Sequence, residues 1–429
     1  MVPNLVTALT GPINELEQRM LESVPAIERW FRLEWMEHTP TFYCAVDLRN
    51  AGYRLTPVDT DLFPEGFNHL TPQMLPLAVQ AAMAAIEKIC PEAKNLLLVP
   101  SRHCESASYL EHLQRLVQIF THAGLNVRLG SADPGLAAPQ VLKAPDGGEL
   151  VVEPLLRQRT RLGLKDFDPC TILLNDDLRA GVPRALQNLY EQYLLPPLHA
   201  GWATRRKSRH FRSYEEVAKK FSKLMGMDPW LINPMVAHCG EVDAGSEQGL
   251  ECVRAHCETM LAKQRRKFKE YAIAERPFVV VKADVGGLGA GVLTVRDVRE
   301  LDGERLQRAL ARPQGLEPGV SEVIIQEGVP TCERIEDATA EPVVCTIDRY
   351  VVGGYYRVHD GRGSDESLQS PQARYVPLAF AEGHLLPARA KTGASAPNRF
   401  YMYGVIGRLA MLAAAYELEA TDPDAEDYA

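Results

Sequence analysis

Hydrophobic and polar positions along the first half of the chain predict helices and strands in alternation. Apolar residues recur at helical spacing in three stretches, and short continuous apolar runs between them are typical of buried strands. The predicted helices are Pro12–His38, 72–89 and Tyr109–Ala123. The predicted strands are Thr41–Leu48, Asn95–Pro100, Asn126–Leu129 and Thr171–Asn175. Because strands that alternate with helices usually form a parallel sheet, we expect an α/β fold here.

The second half of the chain has a different pattern, which is typical of an α+β region. Residues 185–275 predict charged helices, 277–359 predict mostly strands, and 402–418 predict a last helix. The predicted strands are 278–282, 291–295, 322–326, 342–352 and 355–358. A chain of 429 residues is too long for one compact core. The predicted regions are an N-terminal α/β substrate-binding domain at 1–200, a helical linking region at 201–275 and a nucleotide-binding region at 276–429.

Composition and charge exclude some classes of partner. A net charge of −9 argues against nucleic acid, because binding a phosphate backbone requires a basic surface. The basic cluster Arg205–His210 is interpreted as a solvated helix end. We expect no membrane partner, since no apolar run could span a bilayer and the start of the chain lacks a signal-peptide pattern. The sequence leaves open whether the chain forms a homo-oligomer.

The nine cysteines are scattered and include no Cys-x-x-Cys pair. Cys252 and Cys257 are too far apart for a ribbon-type zinc site, and no histidine lies at a suitable spacing, so we expect no zinc site. Scattered reduced thiols are typical of a reducing compartment, which predicts a cytoplasmic protein.

The segment Phe278–Val295 carries the strongest chemical signal in the chain. A β-branched run ends at Lys282, and Gly286, Gly287 and Gly289 then precede a second β-branched run. A Walker loop would place the lysine after the glycines, and a dinucleotide fingerprint would open a helix. The pattern therefore indicates either a phosphate-covering hairpin of the ATP-grasp or kinase type, or a glycine-rich turn beside an ordinary surface lysine.

An acidic pair precedes this segment in the chain. Asp59 and Asp61 are two residues apart, so an extended backbone would direct both carboxylates to one side. Oxygen ligands at this spacing suit Mg²⁺ or Mn²⁺ shared with nucleotide phosphates. The alternative is a turn rich in Asp, Pro and Gly.

Two further segments complete the set of candidate chemical groups. A buried strand runs into Gln326, Glu327 and Val329, which resembles a hinge that hydrogen-bonds an adenine edge. Arg349 and Arg357 are expected on neighbouring β segments across a Gly-Gly turn, where the pair could clamp a phosphate. The alternatives are an ordinary strand end and two surface arginines.

These features occur in the order expected of an ATP-dependent carboxylate–amine ligase. The chain also resembles, essentially from end to end, the ATP-grasp-type bacterial glutamate–cysteine ligases. The matching segments are Leu9–Pro12, Val46–Gly52, Pro57–Thr60, His199–Trp202, Arg206–Ser208, Asp228–Pro234, Cys239–Val242, Lys282–Asp284, Ile325–Val329 and Asp348–Gly354.

The resemblance implies an ATP-grasp fold and the first step of glutathione biosynthesis. ATP, L-glutamate and L-cysteine would give γ-glutamylcysteine through an acyl phosphate. We expect Mg²⁺ or Mn²⁺ to be held by Asp59, Asp61 and Asp284, and charge to be stabilised by Lys282, Arg349 and Arg357. Ligands of a parallel sheet lie beyond the carboxyl ends of its strands. The expected substrate-binding residues are Arg49, Asn50, Asn68, His103, Asn175 and Asp176.

The chain departs from the family pattern in loops that are expected near the amino-acid site. The departures include Asp61, Glu65, His69, the stretch Ser101–Ser106 and the glycine-rich loop. The retained residues are Lys282, Asp284, Glu327, Glu341, Arg349 and Arg357, so the nucleotide machinery is expected to be intact. Two alternatives stay open: the same chemistry on a different amino-acid pair in a specialised peptide pathway, or a non-catalytic nucleotide-binding regulator.

Overall fold

A computed structural model describes residues 5–8, 11–102, 106–286, 292–310, 321–378 and 399–424. Within these residues the chain forms eight α-helices and nineteen β-strands. The helices are α1 (Pro12–Glu22), α2 (Val24–Glu37), α3 (Leu75–Ile89), α4 (Ala107–His122), α5 (Lys207–Met225), α6 (Glu247–Glu270), α7 (Gly303–Leu310) and α8 (Phe400–Ala420). The strands are β1 (Leu5–Val6), β2 (Tyr43–Asn50), β3 (Leu55–Asp61), β4 (Asn95–Pro100), β5 (Asn126–Ser131), β6 (Gln140–Lys143), β7 (Glu149–Pro154), β8 (Leu156–Gln158), β9 (Arg161–Gly163), β10 (Thr171–Asn175), β11 (Tyr193–Leu195), β12 (Val236–Val242), β13 (Val279–Ala283), β14 (Val292–Val295), β15 (Ser321–Glu327), β16 (Arg334–Ile335), β17 (Ala338–Ile347), β18 (Tyr350–His359) and β19 (Arg374–Pro377).

A six-stranded sheet forms the N-terminal part, in the order β11-β10-β4-β5-β7-β6. Its strands are parallel except for the edge strand β6, which confirms the predicted parallel sheet for β4, β5 and β10. The predicted strand Thr41–Leu48 does not belong to it, because β2 pairs antiparallel with β3 and β17 in another sheet. The central strands β4 and β10 are almost entirely buried, as expected of parallel strands covered on both faces. The carboxyl ends of these strands lead into the loops that begin at Ser101 and Asp176.

A seven-stranded antiparallel sheet joins the two ends of the chain. Its main path is β3-β2-β17-β18-β19, and β16 with β1 continues from the start of β17. The helices α3 and α8 pack against this sheet. Almost every residue of α8 is buried, which is typical of a helix that is apolar on all sides.

A four-stranded antiparallel sheet has the order β12-β15-β13-β14. Helices α6 and α7 cover one face with an apolar cluster that includes Val253, Val281 and Ile325. Both antiparallel sheets cross the predicted region boundaries, because β2 pairs with β17 and β12 pairs with β15. The division at residues 200 and 275 stays a prediction.

Two local expectations were wrong. The helix expected over Pro12–His38 is interrupted at Ser23, because Pro25 lacks an N–H and a new helix starts there. The Gly-Gly turn expected between two strands lies inside β18, where a Cβ at Gly354 would collide with the carbonyl oxygen of Val343.

The three sheets and the helices that cover them form a mixed α/β architecture. Among the described residues, no helix combines the length and apolar character required to cross a bilayer.

Candidate active site

Seven charged side chains meet where the seven-stranded and four-stranded sheets approach each other. We call this group the charged junction: Asp47, Arg49, Asp59, Lys207, Lys282, Glu341 and Arg357. Five of these side chains are buried, and the two aspartates are half-buried. Four cations face three carboxylates. Because each buried ion loses several kcal/mol of hydration, a concentration of this kind is typical of a functional site.

Strand register brings the acidic members together. Asp47 on β2 lies opposite Asp59 on β3, and Glu341 on β17 lies opposite Arg357 on β18. Because β2 also pairs with β17, these two residue pairs lie next to each other in the sheet. Residues that lie opposite each other on antiparallel strands share one face of the sheet. The pairing of strands that are about 300 residues apart therefore creates the junction.

Arg357 links two carboxylates at the centre of the junction. Its Nη1 lies 2.7 Å from Asp47 Oδ2 and 2.7 Å from Glu341 Oε1. Arg49 Nε lies 2.6 Å from the other oxygen of Glu341. Burial raises the pKa of Asp47, the Arg357 charge opposes this effect, and Glu341 adds to it. The arginines thus hold two close carboxylates in position.

Lys282 extends from β13 of the four-stranded sheet towards β3 of the seven-stranded sheet. Its Nζ donates a hydrogen bond to the carbonyl oxygen of Val58 at 3.0 Å. Among the described residues, no carboxylate oxygen lies within ion-pair distance of this ammonium group. Burial lowers the pKa of Lys282 to about 8, Asp59 acts in the opposite direction and Lys207 adds to the lowering. A buried cation without a direct partner favours binding of an anion.

Asp59 is paired with Lys207, at the first turn of α5. Lys207 Nζ lies 2.5 Å and 2.6 Å from the two Asp59 oxygens. Burial raises the pKa of Asp59, but Lys207 and Lys282 outweigh it and hold the pKa well below its usual range. The interpretation of Arg205–His210 as a solvated helix end was wrong, because Lys207 and Arg205 are buried against partners that lie far away in sequence.

Of the predicted metal ligands, Asp59 lies in the charged junction and the other two have different surroundings. Asp61 accepts a hydrogen bond from the Phe63 amide at 3.0 Å. Burial raises the pKa of Asp61 to about 6, the Phe63 amide opposes this, and Asp177 adds to it. The Asp284 carboxylate accepts bonds from the Ser208 amide at 2.6 Å and the Ser208 hydroxyl at 2.5 Å, so it anchors the start of α5.

Two of the predicted hinge residues, Glu327 and Val329, contact other parts of the protein. Glu327 is bound by Arg54 at 2.7 Å and by the Trp230 indole at 2.9 Å, and its own amide donates to the Met235 carbonyl. Val329 lies in a small apolar cluster that contains Trp230. Both residues are therefore held by contacts inside the protein, and their role as a hinge stays a prediction.

Gln326 differs from Glu327 and Val329, the other two residues of the predicted hinge. Its side-chain Nε2 is buried and has no hydrogen-bond partner within the described part of the chain. Gln326 lies opposite Val280, and Ile324 lies opposite Lys282, so Gln326 and Lys282 share one face of the four-stranded sheet. A buried donor without a partner costs about 1–3 kcal/mol, which a ligand acceptor would recover. Its environment fits the binding of a polar heterocycle.

The glycine-rich loop is described only at its first residue. Gly286 lies against the Trp202 ring, and a Cβ at this position would overlap the indole atoms. Gly287 and Gly289 lie outside the described residues, so their role as a phosphate loop stays a prediction. Gly286 thus permits close contact between the end of β13 and the loop that precedes α5.

Most of the predicted substrate residues are fully engaged in the described structure. Asn175 accepts from the Tyr109 hydroxyl at 2.8 Å and donates to the Pro64 carbonyl at 3.0 Å. Asn50 donates to Glu333 at 3.1 Å. Both side chains therefore hold loops in place.

The remaining predicted substrate residues lie in three places. Arg49 is in the charged junction and also donates to two carbonyls of the loop at 364–366. Asp176 accepts from the Leu178 amide at 2.9 Å, and Asn68 donates to Glu111 at 3.3 Å. His103 lies outside the described residues.

The two predicted catalytic arginines do not form a pair. Arg349 precedes β18 and Arg357 lies near its other end, a separation of about 26 Å along an extended strand. Arg349 instead lines a separate cavity of about 580 Å³ with Tyr401 and Arg408. The expectation of neighbouring segments was wrong because β18 runs through both glycines without a turn.

The sequence interpretation missed Asp47 and Lys207. Asp47 and Arg49 are two residues apart on β2, so the alternation of charges in a predicted strand was an available signal. For Lys207 there was no local signal, because its partner Asp59 lies 148 residues earlier.

Comparisons with known proteins show a close similarity over almost the whole chain. The family model described as glutamate–cysteine ligase matches residues 17–418. The chain is 48% identical to a provisionally assigned γ-glutamylcysteine synthetase from Methylobacillus flagellatus KT, with a TM-score of 0.89. That match covers 98% of this chain and 100% of the other.

Two more distant solved structures also match. One is a glutathione synthetase-like effector from Globodera pallida, with 11% identity, a TM-score of 0.37 and coverage of 82% and 84%. The other is D-alanyl-alanine synthetase A from Vibrio cholerae, with 11% identity, a TM-score of 0.34 and coverage of 76% and 80%. No curated protein matches this chain significantly.

Proposed function

We propose, from the premise that this chain belongs to the glutamate–cysteine ligase family, that it uses ATP to join the γ-carboxylate of L-glutamate to the amine of L-cysteine. The product would be γ-glutamylcysteine, which is the first step of glutathione biosynthesis. The substrates would be small molecules in a cytoplasmic compartment. The fold would be of the ATP-grasp type, with the nucleotide held between the two antiparallel sheets.

Lys282 is the observation that carries this proposal. It is a buried ammonium group at the junction of two sheets, and its only hydrogen bond in the described residues is to the Val58 carbonyl. A triphosphate would supply the negative charge that this site lacks. Gln326 Nε2, on the same face of the sheet, would bind a polar edge of the base.

The residues of the junction would divide the work of the reaction. The glutamate carboxylate would attack the γ-phosphorus of ATP to give an acyl phosphate and ADP, and the cysteine amine would then displace phosphate and form the amide. Lys282 and Arg357 would stabilise charge on the transferred group, because fixed cations at low dielectric need little reorganisation. Orientation of the two substrates would supply much of the remaining acceleration.

Asp47, Asp59 and Glu341 offer carboxylate oxygens of the kind that Mg²⁺ or Mn²⁺ prefers, and these oxygens are now held by Arg357, Arg49 and Lys207. When bound, the ion would neutralise phosphate charge. Of the metal ligands predicted from the sequence, Asp59 therefore remains in this proposal. Asp61 and Asp284 are not members of the charged junction and are left out of this proposed set.

A second candidate function keeps the chemistry but changes the amino acids. Electrostatic interactions link Asp61 and Glu65 to Asp177 and Arg179, beyond the carboxyl end of β10. Three carboxylates beside one guanidinium favour a substrate with an additional amino group. This arrangement supports a donor–acceptor pair other than glutamate and cysteine.

The test is release of ADP from Mg·ATP by the purified protein, with glutamate-like donors crossed against amino-acid acceptors and products weighed by mass spectrometry. Turnover with glutamate plus cysteine is expected. Turnover with another pair alone would replace the proposed substrates. ATP binding without turnover on any pair would indicate a regulator and contradict the proposal.

A further inference from the structure

Three potential metal ligands meet on the side of the four-stranded sheet that faces away from Lys282. Cys239 is on β12, and Cys252 and His256 are one helical turn apart on α6. The two sulfur atoms lie 2.6 Å apart. His256 Nδ1 lies 3.5 Å from the Cys239 sulfur and 3.8 Å from the Cys252 sulfur.

The local backbone explains how Cys239 reaches α6. The pairing of β12 with β15 shifts register between His238 and Glu241, and Gly240 in this bulge has a φ of +64°. Cys239 packs against the apolar cluster under α6, whereas His238 Nε2 lies 3.3 Å from Asp284. Neighbouring strand residues thus point to opposite faces of the sheet.

We propose that Cys239, Cys252 and His256 form a binding site for a thiophilic divalent ion of the Zn²⁺ type. A tetrahedral zinc ion, with bonds of about 2.3 Å to sulfur and about 2.0 Å to nitrogen, holds sulfur and nitrogen about 3.5 Å apart. The two observed sulfur–nitrogen distances are close to this value. The sulfurs would have to separate by about 1 Å, which a small side-chain rotation achieves.

His256 distinguishes this site from a simple pair of thiols. A disulfide between Cys239 and Cys252 would need no imidazole, yet Nδ1 of His256 lies near both sulfurs. Nδ1 also lies 2.9 Å from the Cys252 carbonyl oxygen. In the metal-free protein an Nδ1–H would donate to this carbonyl oxygen. Binding of the ion would require the proton to be on Nε2 and the ring to turn Nδ1 from the carbonyl towards the sulfurs.

Binding of the ion would leave the site with no net charge and would need no oxidant. Binding of one Zn²⁺ would displace one proton from each thiol, and two thiolates with a neutral imidazole leave no net charge. All three residues are half-buried, which leaves a route for the ion and a fourth position for water. The sequence expectation considered Cys252 and Cys257 and found no histidine at a suitable spacing. It passed over His256, one helical turn after Cys252, and could not place Cys239, which lies on another element.

Binding of Co²⁺ to the reduced, metal-free full-length protein tests the proposal, because Co²⁺ reports thiolate ligands by charge-transfer absorption. We expect one equivalent to bind, with visible bands typical of tetrahedral geometry, and Zn²⁺ to displace it. Cys252→Ser should abolish the charge-transfer band. His256→Ala should weaken binding at least about tenfold.

Cys170→Ser is the matched control. Cys90 and Cys170 hold their sulfurs 2.8 Å apart, but within the described residues no third metal-ligating atom joins them. This variant should bind Co²⁺ as the parent does. If Cys252→Ser does not fold, the parent spectrum and His256→Ala still decide the matter.

Three results would overturn the site. These are no Co²⁺ band in the parent protein, an unchanged band in His256→Ala, or a Cys239–Cys252 disulfide in anaerobically isolated, metal-free protein. The readout needs no turnover, so it is independent of the ligase proposal.

Discussion

At the scale of single residues, burial in the charged junction destabilises the charged form of Lys282. Burial lowers its pKa from 10.5 to about 8, which means that the folded protein disfavours the charged form. The stability cost is fully present below pH 8 and disappears as the pH rises from about 8 to 10.5. A site that binds phosphate gains from such a residue, because the ligand relieves the cost.

Lys282→Met should therefore stabilise the protein and impair ATP binding. At pH 7 we expect the free energy of unfolding to rise by up to about 3 kcal/mol, since one pKa unit corresponds to about 1.4 kcal/mol. The gain should shrink as the pH approaches 10. Urea denaturation between pH 7 and 10 measures it.

Lys223→Met, at an exposed position of α5, is the control and should show no such pH dependence. A Lys282→Met variant that is less stable than the parent at pH 7 would contradict the account of this residue.

At the scale of elements, the ends of β18 have different roles although each carries an arginine. Arg357 joins two carboxylates in the junction, and Arg349 lies about 26 Å away beside another cavity. The sequence correctly predicted strands in this region. It could not show that they form one strand, because only tertiary contacts reveal why the two glycines are needed there. A Cβ at Gly353 would collide with Met74 and Leu70, and one at Gly354 with the Val343 carbonyl of β17.

Arg357→Lys should lower turnover about 100-fold, because one ammonium cannot reproduce the fork between Asp47 and Glu341. Arg349→Lys, the same change at the other end of the strand, should leave turnover nearly unchanged. Steady-state ADP release by both variants measures this difference. Equal losses of turnover in the two variants would contradict this difference and support the predicted arginine pair.

At the scale of the whole molecule, a buried ion pair holds α8 against the segment that leads into α5. Arg205 on the loop before α5 bonds Glu417 of α8 at 3.1 Å, and His210 lies 3.1 Å from the same carboxylate. Burial raises the pKa of Glu417, but Arg205 and His210 outweigh it and lower the pKa. The stabilisation is present above about pH 4.5 and is lost as the pH falls through the folded pKa.

Glu417→Gln should reduce the free energy of unfolding at pH 7 by about 3–5 kcal/mol, because it leaves Arg205 buried without a counter-charge. Glu419→Gln, on an exposed turn of the same helix, removes the negative charge beside His38 and should change the free energy of unfolding by less than about 1 kcal/mol. Chemical denaturation of both variants tests this. Similar small effects would show that the buried pair contributes little.

The sequence by itself determined the local elements and the types of chemical group. The parallel strands, the Lys282 segment and the acidic residue Asp59 were all visible, because hydrophobic periodicity and turn residues act over a few positions. Tertiary structure decided which groups work together. Asp59 meets Lys207 across 148 positions, and Arg357 meets Asp47 across 310, through strand register and helix packing. Cys239 reaches His256 only through a bulge and a covering helix, since no local pattern specifies contact between distant segments.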